Sequence, residues 1–253
     1  MTESPNAGTG LETQDDPFEL MRELNEAREF YRNHEITADV LAKLNQQSAD
    51  LLRTEIVEGT PAVGQRAPGF RLPAGAGREV SLARLLHFGP VVLTFYRGRW
   101  CPYCNLSLRG LQQLLPVFNQ LNASLVAISP QPPDNALSRL KEIGPTFEVL
   151  SDGESTIAKA YGLEFEIPAY LREVYRRLGH PLAKFNGHGQ HTISVPATFV
   201  IDRDSIVRYR FVDPDHTRRA DPTPLLDVVR GLARADAAPA MQQVNRPRGG
   251  GLR

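Results

Sequence analysis

The stretch VVLTFYRGRWCPYC, residues 91–104, holds both cysteines of a 253-residue chain, three positions apart. Its first half, VVLTFY (91–96), is a short and nearly all-apolar run of β-formers, as a strand buried on both faces requires. Its second half opens a helix. CPYCNLSLRGLQQLLPVFNQL (101–121) places Leu106, Leu108, Leu111, Leu114, Leu115 and Phe118 on one face. Cys101 falls near the N-cap and Pro102 at the first helical position, where a missing N–H costs nothing. Pro116 lies inside this helix and predicts a kink. SLVAIS (124–129) reads as a second buried strand, so the segment is a βαβ unit with a right-handed crossover.

The position of the cysteines points to redox chemistry. A free thiol has a pKa of about 8.5 and is mostly protonated at neutral pH, whereas the thiolate is the reactive form. At the start of a helix, unpaired backbone N–H groups and the helix dipole face the sulfur and favour its charge. Arg97 and Arg99 add positive charge nearby. Cys104 stands one turn further on and leans back toward the N-terminus, so the pair can close a disulfide.

Outward from this unit, the α/β alternation continues. NALSRLKEIG (135–144) reads as helix, FEVLSD (147–152) as strand and STIAKAYG (155–162) as a short helix with a glycine C-cap. Residues 164–194 look like an insertion with one helix around 169–178. PATFVID (196–202) and IVRYRFVD (206–213) form a hairpin, and PLLDVVRGLAR (224–234) a last helix. DPDHTRRADP (213–222) reads as a solvated turn with local charge pairs. Upstream, GTPAVGQRAPGFRLPAGAG (59–77) is linker and turns. Residues 15–58 read as a helical hairpin: Asp16 caps, Pro17 begins the first helix, and a second runs from about Thr37 to Ile56. That hairpin either packs on the main domain or serves as a dimerisation element; its order on the chain does not separate the two. Residues 1–14 and the basic 237–253 are expected to be disordered tails, leaving 59–236 as the main domain.

Composition removes other classes. Lys+Arg and Asp+Glu both number 29, so no global field favours nucleic acid or an anionic membrane. The tail NRPRGGGLR has no aromatic interleaving, which is a poor nucleic-acid signature. No apolar run approaches the roughly 20 residues of a membrane span, and no secretory signal is visible, so a cytoplasmic setting is expected. There a lone cysteine pair is catalytic, redox-sensing or metal-binding rather than a staple. A metal would need four ligands; His188 and His191 could supply two, but their spacing is tighter than the usual finger and they read as solvated loop residues. No metal or other cofactor is therefore expected.

A strand followed by WCPYC at a helix start resembles the thioredoxin fold, and CPYC is similar to the glutaredoxin active-site tetrapeptide. From APGFRL (67–72) through PATFVID to the final helix, the chain resembles peroxiredoxins of the alkyl hydroperoxide reductase/thiol-specific antioxidant family. The resemblance implies a three-layer α/β fold with a central mixed sheet. It implies reduction of hydroperoxides by a thiolate, and regeneration by a thioredoxin- or glutaredoxin-type dithiol donor. It also places a cis-proline at Pro196, beside the cysteines and on the substrate side, where Arg97 and Trp100 are placed by their proximity to the pair. Laid over Arg97–Cys104, the family pattern P-x-x-x-T-x-x-C puts its proline on Arg97, its threonine on Cys101 and its peroxidatic cysteine on Cys104. Its distant arginine falls near Pro196. The cysteine is kept and the three helpers are not, with Arg97 or Arg99 as candidate substitutes for the arginine. Cys104 is the expected site of sulfenic acid formation and Cys101 the resolving thiol; attack on protein disulfides would reverse these roles. A disulfide oxidoreductase and a non-catalytic redox sensor are the alternative functions.

Overall fold

In the computed structural model, which describes residues 18–132, 147–186 and 191–244, VVLTF becomes β3 (Val91–Phe95), the middle strand of a five-stranded sheet. Its neighbours are β4 (Ser124–Ser129) and β8 (Ala197–Ile201), with β5 (Glu148–Ser151) and β9 (Val207–Val212) at the edges. The β3–β4 and β4–β5 pairs are parallel; β3–β8 and β8–β9 are antiparallel, so the sheet is mixed. Every β3 residue is buried because both faces are covered. Val91, Leu93 and Phe95 point to one face, where α3 (Leu82–Phe88) and α6 (Thr156–Ala160) supply Leu82, Leu86 and Ala158. Val92 points to the other, against Leu111, Phe118, Leu225 and Val229 of α4 (Pro102–Gln113), α5 (Leu115–Gln120) and α9 (Pro222–Val244). This is the expected three-layer α/β arrangement.

Several local expectations are corrected. The long helix after the cysteines does not merely kink. It splits into α4 and α5 at Leu114, because Pro116 has no N–H to continue the ladder. The 59–77 segment is not all linker: β1 (Arg71–Pro73) pairs with β2 (Glu79–Ser81), which leads into α3, capped by the Ser81 hydroxyl. The last helix runs past Arg234 to Val244, so residues 237–244 are helical rather than tail; the alanines of this stretch favour the helix although Pro239 within it does not. The expectations for residues 1–17, for the helix at 135–144 and for His188 lie outside the described residues.

Two parts of the chain pack around the cysteines. The first is α1 (Phe18–Phe30), a π-helical turn at Tyr31–Glu35, and α2 (Ala38–Arg53). Gly110 of α4 admits α1 closely: a Cβ there would meet Leu20 Cδ2 at 2.8 Å. The second is the insertion, where β6 (Glu164–Glu166) pairs with β7 (Thr192–Ser194) and α7 (Ala169–Arg177) and α8 (Leu182–Phe185) lie between. Leu20, Leu24 and Leu44 from the first join Leu171, Val174, Tyr175 and Leu182 from the second in one apolar cluster with Trp100, Cys101 and Cys104.

Candidate active site

The site forms where β3 ends and the chain must turn into α4, at the carboxyl end of a parallel strand, a common position for ligands in α/β sheets. Gly98 makes the turn at φ +142, and a Cβ there would meet Trp100 Nε1 at 2.6 Å and Gln131 Cδ at 2.9 Å. Only glycine fits both the conformation and the space. The Arg99 N–H donates to Gln131 Oε1 (2.7 Å), and Asn105 Nδ2 donates to the Arg99 carbonyl (3.0 Å), fixing the loop from both sides. Cys101 is the N-cap of α4, and its carbonyl accepts from the N–H groups of Cys104 and Asn105.

Both thiols are reduced and buried, Cys101 at 1% and Cys104 at 0% exposure. They lie within hydrogen-bonding reach, with the Cys101 thiol donating to Cys104. Two guanidinium groups converge on them. Arg219 Nη2 donates to Cys104 Sγ at 2.9 Å and stands 3.9 Å from Cys101 Sγ. Its other nitrogen is held by the carbonyls of His216 (2.8 Å) and Arg218 (2.5 Å). Arg97 donates through Nη2 to the Tyr175 hydroxyl, and its guanidinium carbon lies 4.8 Å from the Trp100 ring centre and 5.4 Å from that of Tyr175. Neither buried arginine forms an ion pair with a carboxylate among the described residues.

The two sulfurs consequently diverge. Burial opposes ionisation of Cys104, but the Cys101 thiol, the Arg219 charge, a backbone hydrogen bond from Arg97 and the Arg97 charge outweigh it, and its pKa falls below the ordinary thiol range. Cys101 moves the other way: burial, and the neighbouring Cys104 that takes its proton, hold it well above that range. Half-buried His216, whose ring lies 5.9 Å from that of Tyr103, is kept neutral by burial and by Arg97 and Arg219.

A cavity of about 310 Å³ opens on this group. Arg97, Trp100, Cys101 and Tyr103 line it from the β3–α4 junction, Tyr31, Glu35, Ile36 and Leu44 from the N-terminal segment, Tyr175, Leu178 and His180 from the insertion, and His216 from the loop before α9. Cys104 does not line it; Cys101 stands in front.

Of the residues singled out from sequence, Cys101, Cys104, Arg97 and Trp100 meet here. Pro196, next to Ala197, which pairs with Phe95, is buried just before β8; its peptide bond is trans rather than cis, and it does not line the cavity. Arg99 turns away to the Phe185 ring, 5.3 Å from its guanidinium carbon. The loop 213–222 was expected to be solvated. Arg218 is exposed and pairs with Asp213 and Asp215, whereas Arg219 is buried against the thiols. Sequence reasoning missed Arg219, Tyr175 and His216. The doublet Arg218–Arg219, one residue before a buried alanine, carried no local sign of which arginine turns inward.

A buried dithiol at a strand–helix junction, with one sulfur ionised by guanidinium groups, defines a thiol oxidoreductase of thioredoxin-like fold. The chain belongs to the AhpC/TSA family, whose sequence model matches residues 63–210, and is a peroxiredoxin-like enzyme. It is 42% identical over 106 residues to a Helicobacter pylori protein named as peroxiredoxin bcp, covering 40% of this chain and 67% of that one. It is 30% identical over 103 residues to the thiol-disulfide oxidoreductase ResA of Geobacillus thermodenitrificans, covering 40% of this chain and 58% of the relative. Among solved structures, peroxidoxin BcpB of Mycobacterium tuberculosis superimposes with a TM-score of 0.54 at 24% identity, over 68% of this chain and 98% of its own. Peroxiredoxin 6 of Arenicola marina does so with 0.55 at 15% identity, over 69% and 74%. These two likenesses show the fold. Among the described residues, no helix is long and apolar enough to cross a membrane, and no group of three or more His, Cys, Asp or Glu side chains could hold a metal ion.

Proposed function

We propose that the enzyme reduces hydroperoxides through Cys104 and cycles through a Cys101–Cys104 disulfide. The observation that carries this reading is the convergence of Arg219 and Arg97, neither with a carboxylate partner, on the Cys104 sulfur. Two buried cations need an anion, and the thiolate is the anion at hand. Cys104 attacks the peroxide oxygen distal to the substituent, the O–O bond breaks, and Cys104 becomes a sulfenic acid. The Cys101 thiol proton passes to the departing alkoxide or hydroxide. The Cys101 sulfur then attacks the sulfenic sulfur, forming the disulfide and releasing hydroxide, which solvent protonates to water. Arg219 and Arg97 stabilise the charge that develops on the leaving oxygen, the task of the family helpers absent from residues 97–104.

Reduction of protein disulfides is the second reading, favoured by the position of Cys101 rather than Cys104 on the cavity wall. Burial weighs against it. A protein disulfide cannot align with sulfurs that are 1% and 0% exposed, whereas a peroxide is small enough to enter. The test uses Trp100, the only tryptophan, as reporter. Reduced protein is mixed with hydrogen peroxide in a stopped-flow and its fluorescence followed. Oxidation orders of magnitude faster than that of a free thiol is expected. A rate equal to that of free thiol, together with rapid reduction of protein disulfides, would replace the first reading with the second.

A further inference from the structure

We infer that the turn at residues 31–37 is a redox-linked gate: it covers Cys101 in the reduced enzyme and opens when the Cys101–Cys104 disulfide forms, letting a thioredoxin-type dithiol reach the pair. The inference rests on the dithiol–disulfide reading of the site and adds to it the step by which a protein reductant gains access.

Access is the difficulty. A protein dithiol must bring a sulfur into line with the S–S axis, yet Cys101 and Cys104 are 1% and 0% exposed. A cavity of about 310 Å³ lies at the lower end of the range of about 300–1,000 Å³ typical of small-molecule sites and admits no polypeptide. One wall must therefore move.

The walls are held unequally. The insertion is tied by its β6–β7 pair, by buried Leu171, Val174 and Leu182, and by Tyr175 on Arg97. α1 is pinned by buried Leu20 and Leu24 and by Glu23, which accepts from Arg109 Nη2 of α4 at 2.7 Å. α2 is pinned by buried Leu44 and Leu51 and by Ser48 Oγ, which donates to the Pro214 carbonyl at 3.3 Å. Between these two anchored helices, the π-helical turn Tyr31–Glu35 buries no residue. Among the described residues, the hydrogen bonds of 31–37 stay within the N-terminal segment: His34 Nδ1 with the Phe30 carbonyl, the Ile36 N–H with the Tyr31 carbonyl, and the Thr37 hydroxyl with Asp39. The turn's hold on the rest of the site is Tyr31, whose ring lies 5.8 Å from that of Tyr103, and half-buried Ile36. Few buried contacts mark the wall that opens at least cost.

Oxidation supplies the bias. In the reduced enzyme the Cys104 thiolate balances two buried guanidinium groups, Arg219 at 2.9 Å and Arg97. The disulfide is neutral, and an uncompensated buried charge is strongly destabilising. Arg97 lines the cavity with Tyr31, Glu35 and Ile36, so withdrawal of the turn brings water to it. Glu35 is exposed and pairs with neither arginine; folding it inward would strip its own water. Closed when reduced, the gate keeps protein disulfides from the pair; open when oxidised, it admits a protein dithiol.

The exchange balances in two steps. One donor thiolate attacks Cys101, giving a mixed disulfide and a free Cys104 thiolate. The donor's second thiol attacks the donor sulfur of that mixed disulfide and its proton passes to the departing Cys101. The donor leaves as a disulfide, and two electrons have passed to the enzyme.

The test compares amide hydrogen exchange, by peptide mass, in the full chain reduced and in the full chain oxidised with diamide, the Cys101–Cys104 disulfide being verified by mass. Peptides covering 31–37 are expected to exchange about tenfold or more faster in the oxidised form, with α4 little changed. In Arg97→Gln, which leaves one buried cation fewer, that difference is expected to shrink severalfold. Tyr31→Ala with Ile36→Ala, which removes the two contacts holding the turn, is expected to speed reduction of the disulfide by thioredoxin about threefold or more relative to reduction by dithiothreitol. Equal exchange in the two forms, slower exchange of 31–37 on oxidation as Glu35 folding onto Arg97 would give, opening of α4 in place of the turn, an unchanged difference in Arg97→Gln, an unchanged thioredoxin to dithiothreitol ratio in the double variant, or failure of diamide to form the disulfide overturns the inference. Failure of the peroxidase reading would show instead as slow oxidation by hydrogen peroxide, with the exchange difference intact.

Discussion

Arg97 and Arg219 reach the same pair of sulfurs from opposite parts of the chain, and they are held differently. Arg97 belongs to the β3–α4 junction and is fixed by side chains: it lies between Trp100 and Tyr175 and donates to the Tyr175 hydroxyl. It lines the cavity, so its charge is available to whatever enters. Arg219 belongs to the loop before α9 and is fixed by its own loop's carbonyls, those of His216 and Arg218. It does not line the cavity and spends its free nitrogen on Cys104. A group tied to backbone holds its sulfur in one protonation state, whereas a group tied to side chains can answer a substrate. The comparison assigns thiolate stabilisation chiefly to Arg219 and the positive charge facing the cavity to Arg97, which shares that wall with Glu35.

The most severe way to probe that division is to remove the sulfur itself. Cys104→Ser is expected to abolish peroxide turnover. Cys101→Ser should still undergo one round of oxidation, trapped as sulfenic acid by dimedone and seen by mass. Arg219→Gln comes next. It should lower the rate of Cys104 oxidation at neutral pH by about 10²-fold and move the midpoint of the pH–rate profile upward, since loss of a cation raises a thiol pKa. Arg97→Gln should move that midpoint less; a larger shift than that of Arg219→Gln would overturn the division between the two arginines. The smallest effect is expected for Tyr175→Phe. It deletes one hydrogen bond to Arg97 and keeps the ring contact, a loss of about tenfold or less in rate.

Linkage gives the comparison a thermodynamic form. Cys104 has a depressed pKa in the folded protein, so its contribution to stability is full above its unfolded value and is lost as pH falls through the folded one. Cys101 has a raised folded pKa, so its contribution is lost as pH rises beyond the ordinary thiol range. Urea midpoints of the reduced protein should decline on both the acid and the alkaline side, and the disulfide form should lack both of these limbs.

The sequence made the contiguous half of the site legible because its signals are local. β-formers, a helix-starting proline and two cysteines in register place Cys101, Cys104, Trp100 and Arg97 without knowledge of any distant contact. The rest depends on tertiary packing. Nothing near Arg219 distinguishes it from Arg218, and only the approach of the 213–222 loop to α4 sends one inward and leaves the other paired with Asp213 and Asp215. Tyr175 sits on an amphipathic helix, where an apolar face reads as packing and its hydroxyl gives no hint of a guanidinium partner. For Pro196 the cis bond implied by the resemblance is absent, while its neighbour Ala197 pairs with Phe95 at the end of β3 that leads to the cysteines. The small β1–β2 sheet was hidden by the prolines and glycines around it, one of which, Pro73, is itself the last residue of β1.

The chemistry of the site depends on the negative charge of the reduced pair residing on Cys104. The ¹³Cβ chemical shifts of both cysteines, followed against pH in reduced, selectively labelled protein, report each ionisation separately. Cys104 is expected to ionise below the ordinary thiol range and Cys101 above it, and Arg219→Gln to move the Cys104 transition upward. Ionisation of Cys101 first, or both sulfurs titrating together in the ordinary range, would contradict it.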